Sequence, residues 1–108
     1  MAALTLRGIV DCVIKSFADR ETERVWTGQG SRRLPWAIQT VARRKLRMIS
    51  NATSPEDLRA PPGNRLEALK GERKGQMSVR INQQWRVCFQ FEDGHAWNVE
   101  IVDYHDGR

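Results

Sequence analysis

Cysteine is scarce: Cys12 and Cys88 are the two in the chain. They make neither a disulfide framework nor a metal-ligand spacing. Cys88, between Val87 and Phe89, reads as an inert structural thiol. This usage fits a reducing cytoplasm. Long apolar runs are also missing. None approaches the roughly 20 residues that span a bilayer, and the opening MAALTLRGIVDCVI, broken by Asp11, makes a poor secretory signal. A membrane partner is therefore not expected. Internal repeats, low-complexity tracts and linkers are absent as well, which argues for one domain within the 108 residues. Histidine is confined to His95 and His105, and tyrosine to Tyr104. Between Val87 and His105 there is no lysine or arginine.

What the chain does have is positive charge and tryptophan. Eighteen Lys and Arg against thirteen Asp and Glu give +5 and a pI near 9.9. That balance favours polyanionic partners, although a basic surface that is merely solvated explains it equally well. Arg32, Arg33, Arg43, Arg44, Lys45 and Arg47 crowd the middle of the chain. Lys70, Arg73, Lys74, Arg80 and Arg86 form a second group. The four Trp and 40% hydrophobic residues suit a packed core; Trp26 and Trp36 are the two that fit exposed contacts with a partner.

The spacing predicts a short strand over VIKSF (13–17) and a helix over Ala18–Thr27, with Asp19 and Glu21 near its start, where the dipole favours acids. Gly28-Gln29-Gly30-Ser31 stops it. A second helix starts at about Pro35. Leu34, Ile38, Val41, Ala42, Leu46 and Ile49 form its apolar stripe, leaving Arg43, Arg44 and Arg47 on a solvated face. Ser54-Pro55-Glu56-Asp57 reads as a capped turn with Ser54 as cap and Asp57 reaching back. Ala60–Asn64 is a loop. Strands are predicted over Arg65–Leu69, Met77–Ile81, Trp85–Phe91 and Trp97–Tyr104.

The order β-α-α-β-β-β-β predicts an α+β fold, a compact antiparallel sheet covered on one face by two N-terminal helices. Three apolar rows (Met77, Val79, Ile81; Trp85, Val87, Phe89, Phe91; Trp97, Val99, Ile101) face the helices. Ser78, Arg80, Arg86, Gln90, Asn98, Glu100, Val102 and Tyr104 form a polar, open face. A two-residue loop at Asp93-Gly94 would oppose Phe89 to Asn98. A three-residue loop, Asp93-Gly94-His95, pairs Phe91 with Trp97, Phe89 with Val99 and Val87 with Ile101, and is expected for that reason. It also opposes Arg86 to Val102, one diagonal step from Tyr104.

Asp103, Tyr104 and His105 can each handle a proton. With Arg86, and with Lys70 and Arg73 from LKGERKG, they suit phosphate chemistry. RNA carries its own nucleophile in the 2′-OH, so its cleavage requires no metal or other cofactor. KGERKG is not a nucleotide-binding P-loop, since it lacks the Gly-Lys-Ser/Thr ending. The same features also have plainer readings: D-Y-H arises by chance, and KGERKG is by default a solvated turn.

The stretch RLEALKGERKGQMSVRINQQWRVCFQFEDGHAWNVEIVDYH, Arg65 to His105, resembles the HigB-type toxins of the RelE/ParE superfamily. VIKSFADRETERVW and ATSPEDL match too, so the resemblance covers Val13 to His105. The combination of LKG, NxxWR and a terminal DYH is specific. The resemblance implies a RelE-like fold and the toxin of a type II toxin–antitoxin system. It implies a ribosome-dependent endoribonuclease that cleaves mRNA in the A site and arrests growth, with a helix-turn-helix, HigA-like antitoxin as partner. Carried over by position, the catalytic residues are Asp103, Tyr104, His105, Arg86 and Lys70, with Arg73, Lys74 and Arg80 contacting RNA. Some relatives have a histidine where this chain has Glu67; either Glu67 substitutes as base, or that work passes to His105 and Glu67 is a plain surface carboxylate. Relatives begin at the VIKSF strand, so residues 1–12 are expected to be a non-native or disordered extension to a toxin domain of residues 13–108. The alternative function is a non-catalytic module on the same scaffold, inhibiting gyrase or only binding an antitoxin.

Overall fold

The computed structural model describes residues 14–104. The expected extension 1–12, Val13 at the head of the first strand, and His105 lie outside the described residues. Among the described residues, two α-helices, α1 (Arg20–Thr27) and α2 (Trp36–Asn51), precede four strands, β1 (Glu67–Ala68), β2 (Met77–Arg80), β3 (Trp85–Glu92) and β4 (His95–Asp103). The strands form one antiparallel sheet in the order β1-β2-β3-β4. The fold is therefore α+β, as expected. Among the described residues, no helix is long and apolar enough to cross a membrane.

The helices lie where the apolar periodicity places them. Ile38, Ala42, Leu46 and Ile49 of α2 are buried with Val25 of α1 against Val79, Val87, Phe89, Val99 and Ile101 of the sheet. Leu46, Ile49, Val87 and Phe89 are fully enclosed. α1 starts at Arg20, two residues after the expected Ala18. Asp19 is its N-cap but makes no capping bond, and one of its carboxylate oxygens is buried without a partner. The turn after α2 also differs. The Ser54 hydroxyl makes no cap; instead Asp57 Oδ2 accepts from Thr53 N at 2.8 Å and Thr53 Oγ1 at 2.9 Å. The Thr53 backbone N–H leads the groups that hold the Asp57 carboxyl below its ordinary pKa. The expected strand at Arg65–Leu69 shrinks to β1, because Arg65 sits at φ 44°, outside the extended region.

The last hairpin corrects the sequence reading most. Its loop is the two-residue Asp93-Gly94, with Glu92 opposite His95. Both turn residues have positive φ, 53° and 78°, as a type I′ turn requires. The conflict between Phe89 and Asn98 is absorbed by a bulge. Cys88 opposes Glu100 and Gln90 opposes Trp97, so Asn98 and Val99 together face Phe89. Asn98 takes φ 53°, which Asn tolerates better than most residues. Beyond the bulge the register returns to Val87–Ile101 and Arg86–Val102 as expected. Before it the faces are exchanged: Ala96 is fully buried and Trp97 leaves the core row to pair with Gln90. Residues 14–17 lie along β4 in the parallel sense but make only isolated bridges, Ile14 to Ala96 and Phe17 to Val99. These bridges flank the bulge, which breaks the regular spacing a continuous ladder needs. Valine is a better strand former than asparagine, yet Asn98→Val should destabilise the protein by about 1–3 kcal/mol through its left-handed backbone. Urea titration checks this; unchanged stability would mean that the bulge can shift at no cost.

Candidate active site

The sheet face turned away from the helices is polar but not open at its centre. Ser78 and Cys88 are fully buried and Arg86 is 9% exposed. The register places Glu67, Ser78, Cys88 and Glu100 side by side across the four strands, with Arg80, Arg86 and Val102 in the next row. Residues 65–76 supply the contacts that close over this patch. Arg86 Nη2 donates to the carbonyl of Arg65 at 2.6 Å, and Arg86 Nε to Ser78 Oγ at 2.7 Å. The Glu67 carboxylate, half exposed, lies 3.7 Å from Arg86 Nη2. The guanidinium carbon stands 5.6 Å from the centre of the Tyr104 ring, within cation–π range. Burial pulls the Arg86 pKa down, opposed by Glu67 and Tyr104; an arginine stays charged regardless. Burial also pushes the Cys88 thiol up to about 11, so it is inert as expected.

A cleft of about 410 Å³ opens beside this patch, lined by Leu69, Lys70, Glu72, Arg73, Val102, Asp103 and Tyr104. The 3₁₀ turn Gly71–Arg73 forms one wall and the end of β4 the other. Four residues expected in a site from the sequence are thus joined here across the fold, Lys70 and Arg73 from one wall and Asp103 and Tyr104 from the other. Lys70 is exposed and, among the described residues, forms no ion pair. Arg73 is held: it donates to Gln76 Oε1 at 2.9 Å and pairs with Glu100 at 3.2 Å. Tyr104 is anchored by its backbone N–H, which donates to the Gln84 carbonyl at 2.6 Å. Asp103 lines the cleft too, but its strand partner is Trp85, one residue out of phase with the Arg86–Val102 pair. Its carboxylate accepts from Gln84 Nε2 at 3.2 Å. Arg80 stands opposite Arg86 on β2, and Lys74 is exposed beyond the cleft wall.

Four residues of the site escape sequence reading: Ser78 and Arg65, which aim Arg86, and Gln76 and Glu100, which aim Arg73. Alternation does put Ser78 and Glu100 on the correct face. No local pattern shows that Arg86 of the next strand reaches Ser78, or that Arg73 of the 3₁₀ turn reaches Glu100. Arranged in this way, the cleft presents two cations, the exposed Lys70 and the held Arg73, beside the Tyr104 ring; the buried Arg86, with the Glu67 carboxylate next to it, stands 5.6 Å from that ring and outside the residues that line the cleft.

The sequence also matches known proteins. The family model of HigB-like toxins, described as the RelE-like toxin of type II toxin–antitoxin system HigB, fits residues 15–105. Toxin HigB-1 of Vibrio cholerae is 42% identical over 86 residues, covering 79% of this chain and 90% of the relative. An uncharacterised protein of Haemophilus influenzae is 35% identical over 74 residues, 68% of this chain and 73% of its own. Endoribonuclease HigB of Proteus vulgaris is 42% identical over 41 residues, 38% of this chain and 45% of its own.

Proposed function

Because this chain belongs to the HigB-like family of RelE-like toxins from type II toxin–antitoxin systems, we propose that it is an endoribonuclease that cuts mRNA in the ribosomal A site. Membership implies an antitoxin partner; we read that partner as a HigA-like helix-turn-helix protein and the toxin as acting in the cytoplasm. The observation that carries the nuclease reading is the Arg86 guanidinium. It is buried, aimed by Ser78 and Arg65, and set against Tyr104 beside a cleft that also holds Lys70 and Arg73.

In this reading the scissile phosphate lies between Arg86 and Lys70, with a neighbouring base against Tyr104. Glu67, adjacent to the cation, removes the 2′-OH proton. The 2′-oxygen attacks phosphorus, the bond to the 5′-oxygen breaks, and a cyclic phosphate forms. The leaving oxygen takes a proton from the Tyr104–His105 end of the chain. Arg86 offsets the extra negative charge on the phosphate oxygens, the term that usually dominates such catalysis. Asp103, tied to Gln84, positions the strand end that carries Tyr104. Arg73, Lys74 and Arg80 hold flanking phosphates.

Incubation with ribosomes translating a defined mRNA, followed by primer extension, tests the reading. New 5′ ends at the A-site codon are expected. An intact message on active ribosomes would leave the non-catalytic scaffold as the better account.

A further inference from the structure

On the opposite side of the molecule, α2 turns a second positive surface outward. Trp36, Thr40, Arg44, Arg47 and Asn51 are all exposed and recur at helical spacing. Trp36 is 78% exposed, the one large hydrophobic residue so placed among the described residues. Trp36 and Arg47 are separated by about 16 Å along the helix axis. No acidic residue occurs anywhere in α2. The preceding loop adds exposed Arg32 and Arg33. Among the described residues, none of these four arginines is in an ion pair, whereas Arg73 and Arg86 at the cleft both are.

The loop that carries Arg32 and Arg33 and leads into Trp36 is built, not slack. Gln39, buried in α2, donates to the carbonyls of Ser31 at 2.8 Å and Leu34 at 2.9 Å and accepts from Ser31 N. The Ser31 hydroxyl accepts from the backbone of Arg33 and Leu34 and donates to Glu21. Arg24 donates to the carbonyl of Gly30 and Arg43 to that of Trp26. The fold thus fixes the backbone of a segment whose large side chains point into water. Beside Trp36 lies a hollow lined by Arg24, Arg32, Leu34 and Pro35.

We propose that the outer face of α2 and the loop before it, residues 31–35, form a second RNA-binding surface, separate from the cleft, on which a base stacks on Trp36 and phosphates meet Arg32, Arg33, Arg44 and Arg47. Charge complementarity selects RNA over a protein. A protein partner would need several carboxylates clustered around a single apolar contact. An RNA strand supplies phosphates and flat bases in alternation, the combination that arginines and an exposed tryptophan take up. Two sides that both hold RNA suit an enzyme acting inside a ribonucleoprotein site, so the inference extends the nuclease reading above.

Its test measures binding of a 2′-O-methylated, mixed-sequence single-stranded RNA, which cannot be cut, to the full chain at several salt concentrations. Trp36→Ala should weaken binding roughly tenfold or more, the size of a lost base stack, with the salt slope unchanged. Arg44→Gln/Arg47→Gln should lower the slope by about 1.4, two contacts at about 0.7 each. Thermal melts verify folding, since all three residues are exposed. Affinity and slope matching the parent in both variants would overturn the proposal. So would loss of antitoxin capture with RNA binding intact, which would assign the surface to a protein. Cleavage assays on the same variants separate the two readings: a chain that cuts nothing yet shows these binding effects refutes the nuclease alone.

Discussion

Arg86→Lys should lower single-turnover mRNA cleavage by about two to three orders of magnitude while leaving the protein folded. Loss of one fixed donor to a developing oxyanion typically has that effect. Lysine keeps the charge and much of the apolar stem, so the cavity is small. It lacks the planar fork that lets Arg86 reach Ser78 Oγ, the Arg65 carbonyl and the Glu67 carboxylate together. An ammonium group satisfied by the buried acceptors is no longer held at the cleft. Arg86→Ala is the poorer test, because it strips partners from a buried hydroxyl and a carbonyl and so perturbs stability as well. A cleavage rate within fivefold of the parent, with an unchanged melting temperature, would remove Arg86 from the phosphate site. Ser78→Ala offers a second view. It leaves the charge in place and frees its aim, so cleavage should fall less steeply than in Arg86→Lys.

The largest effect on stability is expected at Asn64, in what reads as an ordinary loop. Asn64 is fully buried. Its Oδ1 accepts from Lys45 Nζ at 2.6 Å, and its Nδ2 donates to the carbonyls of Leu58 at 3.2 Å and Ala60 at 3.3 Å. Lys45, on the middle turn of α2, is 7% exposed, and burial leads the causes that lower its pKa. Asn64→Leu removes a close acceptor from a buried cation and a donor from two carbonyls. The expected loss is about 3 kcal/mol, or a fall in melting temperature of roughly 12–24 °C for a domain of this size. Adding Lys45→Met to the same protein should restore part of that loss, since replacing both members of a buried polar pair is milder than removing one. A double variant no more stable than Asn64→Leu alone would show that the Lys45–Asn64 pair is not what the loop depends on.

Both cases show where sequence reading stops. Lys45 belongs to a run of basic residues in the middle of the chain, and nothing in that run marks it for burial; in the fold it points toward the Pro62–Asn64 turn and is buried. Asn98 reads as an ordinary outward strand residue. It is the bulge that reconciles a two-residue turn with the Val87–Ile101 register, and neither the apolar rows nor the turn residues alone reveal that both demands are met. Ser78 and Glu100 carry no motif, yet they hold Arg86 and Arg73 in place.

By itself the sequence determined the two amphipathic helices, the four strands, the Arg86–Val102 pairing and the neighbourhood of Arg86 and Tyr104. These follow from periodicities of 3.6 and 2 and from one alternation rule, all local or nearly so. The LKG, NxxWR and DYH segments likewise carried the family resemblance without help from the fold. Only the tertiary structure decided that the polar face is closed at its centre, that Arg86 is buried there under the Arg65 carbonyl, and that Trp36 stands out from the far side. Those outcomes depend on which distant segment arrives to cover a surface, and that is set by packing of the whole chain, which no short stretch encodes.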